Sequence, residues 1–225
     1  MQIAILLYDR LTALDAIGPY EVLSRLPGAE LAFVAAQPGE VRTDNGMLTL
    51  VAERSLADMP RPDILLVPGG PGEVSARAGA GVLDWLRSAH ETTTWTTSVC
   101  TGSLLLGAAG LLEGKRATSH WLALEALRSL GADAVSERVV FDGKIVSAAG
   151  VSAGIDMALA LVARIAGETV AQAIQLGIEY DPQPPFDAGS PQKAPSEVVA
   201  LLRERSRFNE ADAAGAREPS PAAAR

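Results

Sequence analysis

Hydrophobic positions along this chain fall into short unbroken runs, each closed by glycine or proline and followed by a longer stretch with helical spacing. Ile3–Leu7, Leu31–Ala35 and Asp63–Pro68 show little polar alternation, as expected of strands buried on both faces of a parallel sheet. Thr94–Val99 is β-branched and aromatic and reads as another strand. Between the strands, Tyr20–Leu26, Val82–His90, Ser103–Leu112, the stretch beyond His120 to Leu130, Ile155–Ile165 and Thr169–Tyr180 read as helices. Gly18-Pro19 is read as the start of the first helix, with Pro19 near its first position, which leaves Asp15 in the connection before it. Val41–Val51 around Asp44-Asn45-Gly46 reads as a hairpin, as do Val135–Phe141 and Lys144–Ala149 around Asp142-Gly143. Ser152 stands where it could cap the helix that follows. Asp181–Pro195 holds five of the fourteen prolines and is expected to be irregular. Ser196–Ser206 could form a last helix, and 207–225, rich in Ala, Glu and Pro, reads as a loose tail. The alternation predicts one α/β domain over residues 1–206: a mostly parallel sheet with helices on both faces, plus small hairpins.

Sheets of this kind bind ligands beyond the carboxyl ends of their strands. Asp15, Gly69-Gly70, Cys100 and Gly150-Val151 all follow predicted strands directly or within one connection. Parallel strands would therefore bring all four to one edge. Cys100, the single cysteine, sits where a strand turns sharply into a helix, a geometry that exposes a nucleophile to backbone N–H groups and a helix terminus. That setting favours thiolate over thiol. A lone cysteine is also commonly a small buried hydrophobe. Asp15 lies among Leu14, Ala16 and Ile17; shielded from water near a thiolate it would have a raised pKa and could carry protons, although a solvated carboxylate near a helix start fits the same residues. Gly69-Gly70-Pro71-Gly72 is either a backbone anion hole facing Cys100 or a tight turn. Thr101 could bond near the nucleophile or cap the helix. His120 could pair with Cys100 or be a structural histidine held by backbone. No histidine follows Cys100 directly. Trp85, Trp95 and Trp121 read as packing residues.

Composition narrows the classes. A net charge of −8 without a basic cluster makes nucleic acid and anionic membranes poor partners. No apolar run is long enough to span a bilayer, and the first residues lack the basic start of a signal peptide. One cysteine excludes an internal disulfide, and with only His90 and His120 beside it the usual zinc cluster is out of reach. No phosphate-loop or dinucleotide fingerprint occurs. A soluble cytoplasmic protein is expected.

Four segments taken together carry a resemblance: L-x-x-L-D-A-I-G-P-Y-E-V-L at 11–23, D-I-L-L-V-P-G-G-P-G at 63–72, T-S-V-C-T-G-S-L-L-L-G-A-A-G-L-L-E-G-K-R-A-T-S-H-W at 97–121 and G-V-S-A-G-I-D at 150–156. They resemble the ThiJ/PfpI-like superfamily and, within it, the isocyanide hydratases; 175–191 fits that subgroup as well. The resemblance implies a homodimer with a flavodoxin-like three-layer fold, similar to class I glutamine amidotransferases. It implies that Cys100 attacks the terminal carbon of an isocyanide, R–N≡C, to form a thioimidate. Water then releases an N-substituted formamide. Asp15 would be the general acid and base, with Thr101, Gly69, Gly70 and Val151 lining the pocket and no metal or organic cofactor. Two other readings remain: glyoxalase- or deglycase-like chemistry, whose relatives usually carry glutamate at the position of Asp15, and a cysteine-based sensor module like the ligand-binding half of AraC-type regulators. Those regulators carry a C-terminal helix-turn-helix pair, which an acidic chain with an Ala/Pro/Glu tail is not expected to supply.

Overall fold

The first strand, β1 (Gln2–Leu6), runs through the middle of a seven-stranded sheet, and its Ile3–Leu6 are fully buried. The computed structural model describes residues 1–79 and 81–208. By contacts the chain divides into two compact units, Met1–Pro182 and Gln183–Arg225.

In the first unit, α1 (Ala13–Leu23) leads to β2 (Glu30–Ala35). The hairpin β3 (Gly39–Arg42) and β4 (Thr49–Ala52) follows, then the short β5 (Arg54–Ser55) and β6 (Ile64–Val67). Helices α2 (Glu73–Ala78) and α3 (Val82–Thr92) precede β7 (Trp95–Val99), which turns into α4 (Gly102–Ala108). Next come β8 (Arg116–Ala117), a 3₁₀ turn at Trp121–Ala123, α5 (Leu124–Ser129), β9 (Asp133–Ala134) and the hairpin β10 (Val139–Asp142) and β11 (Ile145–Ala148). The long α6 (Ala153–Ala166) and α7 (Glu168–Gly177) close the unit. The second unit carries α8 (Ser196–Glu204). The expected tail at 207–225 lies, from 209 onward, outside the described residues.

The strand order is β10-β11-β7-β6-β1-β2-β5. Every pairing is parallel except β10 with β11. The five central strands follow the doubly wound order in which the second strand flanks the first and later strands add on the other side. Helices α1, α6 and α7 pack together on one side, and α2 to α5 on the other. Small residues let α1 approach α6. A Cβ at Gly18 would meet Ile155 at 3.0 Å, and one at Gly154 would meet Pro19 at 3.0 Å and Val99 at 3.1 Å.

The sequence reading is corrected at four places. Helix α1 starts at Ala13, not near Pro19; Thr12 takes the N-cap position and the Asp15 N–H bonds its carbonyl at 3.1 Å. Asp15 therefore sits in the first helical turn, and Pro19 lies inside the helix, where it lacks the N–H that would reach back four residues. Helix α4 stops at Ala108, and Gly110 just beyond takes a positive φ of 79°. Ser152 makes no side-chain cap; its hydroxyl accepts a 3.4 Å bond from Arg138 Nη2. The two-residue strands β5, β8 and β9 and the six-residue α2 carry too little periodicity to be read in advance.

Candidate active site

Four strand ends meet at one edge, and each delivers one part of the site. After β6, Pro68 is anchored by the buried Tyr8 hydroxyl, which donates to its carbonyl at 2.7 Å. Gly69 follows, and its N–H donates to Asp15 Oδ2 at 2.9 Å. The N–H of Gly70 donates to Thr101 Oγ1 at 2.9 Å, and that hydroxyl points back to the Gly70 carbonyl at 3.4 Å. There is no room for a side chain at Gly69: a Cβ there would lie 2.5 Å from the Thr101 nitrogen and 2.9 Å from Asp15 Oδ2. Gly70 holds φ at 131°, with the backbone of Arg10 to Thr12 pressed against it. The two glycine amides are thus taken up by Asp15 and Thr101. This differs from the expected anion hole facing Cys100; Thr101 takes the N-cap position of α4, but its side chain makes no capping bond.

Cys100 itself has φ 56°, a left-handed conformation that costs a non-glycine residue on the order of 1 kcal/mol or more. Its backbone is tied at both ends. The N–H is shared between the carbonyls of Ala148 at 3.1 Å and Ala149 at 3.0 Å, while its own carbonyl accepts from Ser119 Oγ at 3.0 Å and Ser103 Oγ at 3.2 Å. The second corner, beyond β11, is strained too: Val151, β-branched, has φ 35°. These two turns bring the backbone N–H groups of Thr101 and Val151 to the Cys100 sulfur. They are the donors that the glycine pair was expected to supply.

The carboxyl of Asp15 is wholly buried and the thiol is 6% exposed. Desolvation raises the Asp15 pKa from 3.8 to about 7, against the Gly69 N–H and the Cys100 side chain, which lower it; the charge of Asp44 adds a smaller upward push. Oδ1 is buried and makes no hydrogen bond, while the Cys100 side chain acts on the carboxyl as a whole. Burial and the Asp15 charge push the Cys100 thiol well above its ordinary range, and the Thr101 and Val151 N–H groups pull it partly back. The expected free thiolate is therefore corrected. The seven-residue α4 does not offset burial beside a carboxylate. With Asp15 ionised and the thiol intact, the pair holds one proton between a nucleophile and a base.

His120 is not among the groups that act on the sulfur. Its Nδ1 accepts from the Leu122 N–H at 3.3 Å, capping the 3₁₀ turn, and burial lowers its pKa. The backbone-held reading is the one observed. His90 lies at the other end of β7, bonded to Thr96 Oγ1 at 2.8 Å. Ser103 and Ser119 were missed. A serine three residues after a nucleophile is a usable signal, since its hydroxyl can reach back to the carbonyl of the turn; nothing local marks Ser119.

Residues 1–164 match the DJ-1/PfpI family. The chain belongs to that family. Among DJ-1/PfpI relatives, a curated isonitrile hydratase of Pseudomonas putida is 45% identical over 206 residues, covering 92% of this chain and 90% of that protein. A crystal structure of a THiJ/PfpI family protein from Pseudomonas syringae superposes with a TM-score of 0.88 at 39% identity, covering 93% of this chain and 89% of the other. The HTH-type transcriptional regulator CdhR of Pseudomonas aeruginosa is 32% identical over 140 residues, 61% of this chain but 41% of the regulator. No helix among the described residues is long and apolar enough to cross a membrane.

Proposed function

We propose that the chain hydrates isocyanides to N-substituted formamides, with Cys100 as nucleophile and Asp15 as proton carrier. The observation that carries this reading is the buried juxtaposition of the Cys100 thiol and the Asp15 carboxyl, in a chain 45% identical to an isonitrile hydratase over nearly its whole length. An isocyanide carbon is small, neutral and a poor acceptor of electrons unless protonated as it is attacked. Asp15 takes the thiol proton, the sulfur adds to the terminal carbon, and Asp15 returns the proton to that carbon. The product is the thioimidate R–N=CH–S–Cys100. Asp15, again a carboxylate, accepts a proton from water as its oxygen adds to the same carbon, and that proton passes to nitrogen. The adduct R–NH–CH(OH)–S–Cys100 collapses to R–NH–CHO, with the hydroxyl proton returning to the pair. The N–H groups of Thr101 and Val151 stabilise negative charge on the departing sulfur. Thr101 and the Gly69-Gly70 corner hold the Asp15 carboxyl in place.

We further infer a cytoplasmic homodimer. Leu14, Met47, Leu48, Val51 and Val74 of the first unit are large apolar residues that stand exposed, an arrangement that favours a protein partner over solvent.

Intact-protein mass spectrometry during turnover of cyclohexyl isocyanide tests the chemistry. The expected result is a transient adduct of substrate mass on Cys100 and accumulation of the formamide. Cys100→Ala should lose both, with turnover down by about 10⁴-fold or more. An isocyanide left unconsumed beside rapid methylglyoxal turnover would replace this reading with the α-oxoaldehyde one.

A further inference from the structure

The sulfur's two backbone donors come from corners that are far apart in sequence, Cys100-Thr101 and Gly150-Val151. Both corners hold non-glycine residues at positive φ, so each would relax if left free. Residues 118–120 touch both. Thr118 N–H donates to Ser147 Oγ on β11 at 2.8 Å, Ser119 Oγ donates to the Cys100 carbonyl at 3.0 Å, and the His120 ring lies against Gly150, where an added Cβ would meet Cδ2 at 2.7 Å. Thr118 and Ser119 are each only 1% exposed. The chemistry above gives none of these three residues a part.

We propose that residues 118–120 brace the two corners at a fixed spacing, with Ser119 as a positioning residue for the Cys100 sulfur. Ser103 bonds the same carbonyl, but it belongs to the turn that carries Cys100 and moves with it. Ser119 arrives from a segment nineteen residues on, so its bond adds a third part of the chain to the tie that the Cys100 N–H already makes to the Ala148 and Ala149 carbonyls, and it holds the other side of the same residue. Through Thr118 and His120 that same segment holds the end of β11 and Gly150, one residue before the second donor. The brace acts through the backbone, and its loss displaces the sulfur from its donors and from Asp15 without removing any group that touches substrate. Misplacement of a reacting atom by about 1 Å can cost on the order of 100-fold in rate.

The proposal rests on the hydratase reading only for its kinetic arm; alkylation of Cys100 tests it without any isocyanide. In Ser119→Ala, iodoacetamide alkylation at pH 8 should slow by about fivefold or more, and kcat for cyclohexyl isocyanide should fall by about 10- to 100-fold, with KM within about twofold. Ser119→Thr, which keeps the hydroxyl, should recover most of both. If Ser119→Ala is insoluble, Gly150→Ala presses on His120 from the other side and should give the same pattern. A Ser119→Ala protein with a lowered melting temperature but wild-type alkylation and kcat overturns the proposal, because the bond would then support only the fold. So would Ser119→Thr behaving like Ser119→Ala. A wild-type protein that ignores isocyanides removes the hydratase reading, while the alkylation comparison still decides the brace.

Discussion

Asp15 is the residue at which function and stability oppose each other. Its carboxyl keeps a proton in the folded protein up to about pH 7, against 3.8 when unfolded, chiefly because the site is dry. The sign follows directly. Between these values the folded state binds the extra proton, so stability falls as pH rises from about 4 to about 7, and the deficit then stays constant. A shift of this size corresponds to on the order of 4 kcal/mol. Asp15→Asn keeps an acceptor for the Gly69 N–H and removes the titration. It should be more stable than wild type by about 1–3 kcal/mol at pH 8, with the difference vanishing below about pH 4, as followed by urea unfolding across pH. The same variant should lose turnover by about 10³-fold or more. In the wild type, kcat/KM should fall roughly tenfold per pH unit below about 7, since protonated Asp15 cannot accept the thiol proton. A flat profile from pH 5 to 8 would argue that Asp15 does not act as the base.

At the level of elements, the site depends on turns rather than on helices or strands. Unbroken apolar runs made the central strands legible, because a strand buried on both faces has no other composition available. Parallel order then puts Asp15, Gly69, Cys100 and Val151 on one edge from the sequence alone. Other features were not legible. Gly18-Pro19 reads locally as a helix start, yet packing of α1 on α6 carries the helix through the proline and places Asp15 inside it. Val151 carries no mark of its positive φ, since β-branched residues avoid that region and only the surrounding fold enforces it. The partners of the Gly69 and Gly70 amides depend on side chains thirty and more residues away. Gly69 shows the consequence most sharply. Its φ is ordinary, so Gly69→Ala is tolerable as backbone, but its Cβ would press between Thr101 and Asp15. This substitution should cost about 1–3 kcal/mol in stability and about 100-fold or more in kcat/KM, read by denaturant titration and steady-state kinetics. Wild-type kinetics in Gly69→Ala would show that the Asp15 and Thr101 positions are not set by this corner.

Across the first unit, several surface segments converge on the loop that leads into α1. The Arg10 N–H bonds the Arg42 carbonyl at 2.7 Å, the Asp44 N–H bonds the Leu11 carbonyl at 2.9 Å, and Thr12 Oγ1 donates to Asp44 at 2.8 Å, which fixes the β3–β4 hairpin beside that loop. The Gly72 N–H bonds the Arg10 carbonyl at 3.2 Å and brings the start of α2 to the same place. The exposed apolar residues Leu14, Met47, Leu48, Val51 and Val74 belong to these segments, with Met47 at 86% exposure. A second copy of the chain docked over them would cover the loop three residues from Asp15, a carboxyl that the single chain already buries completely. Sedimentation equilibrium should therefore return about twice 23.4 kDa, and the double variant Met47→Asp, Val51→Asp should return the monomer mass. Asp15 is wholly buried within the single chain, so the acid limb of kcat/KM should stay near pH 7 in that monomer while the mass halves. A double variant whose acid limb moved to lower pH together with the change in mass would show that a partner copy, and not the single chain alone, keeps the site dry.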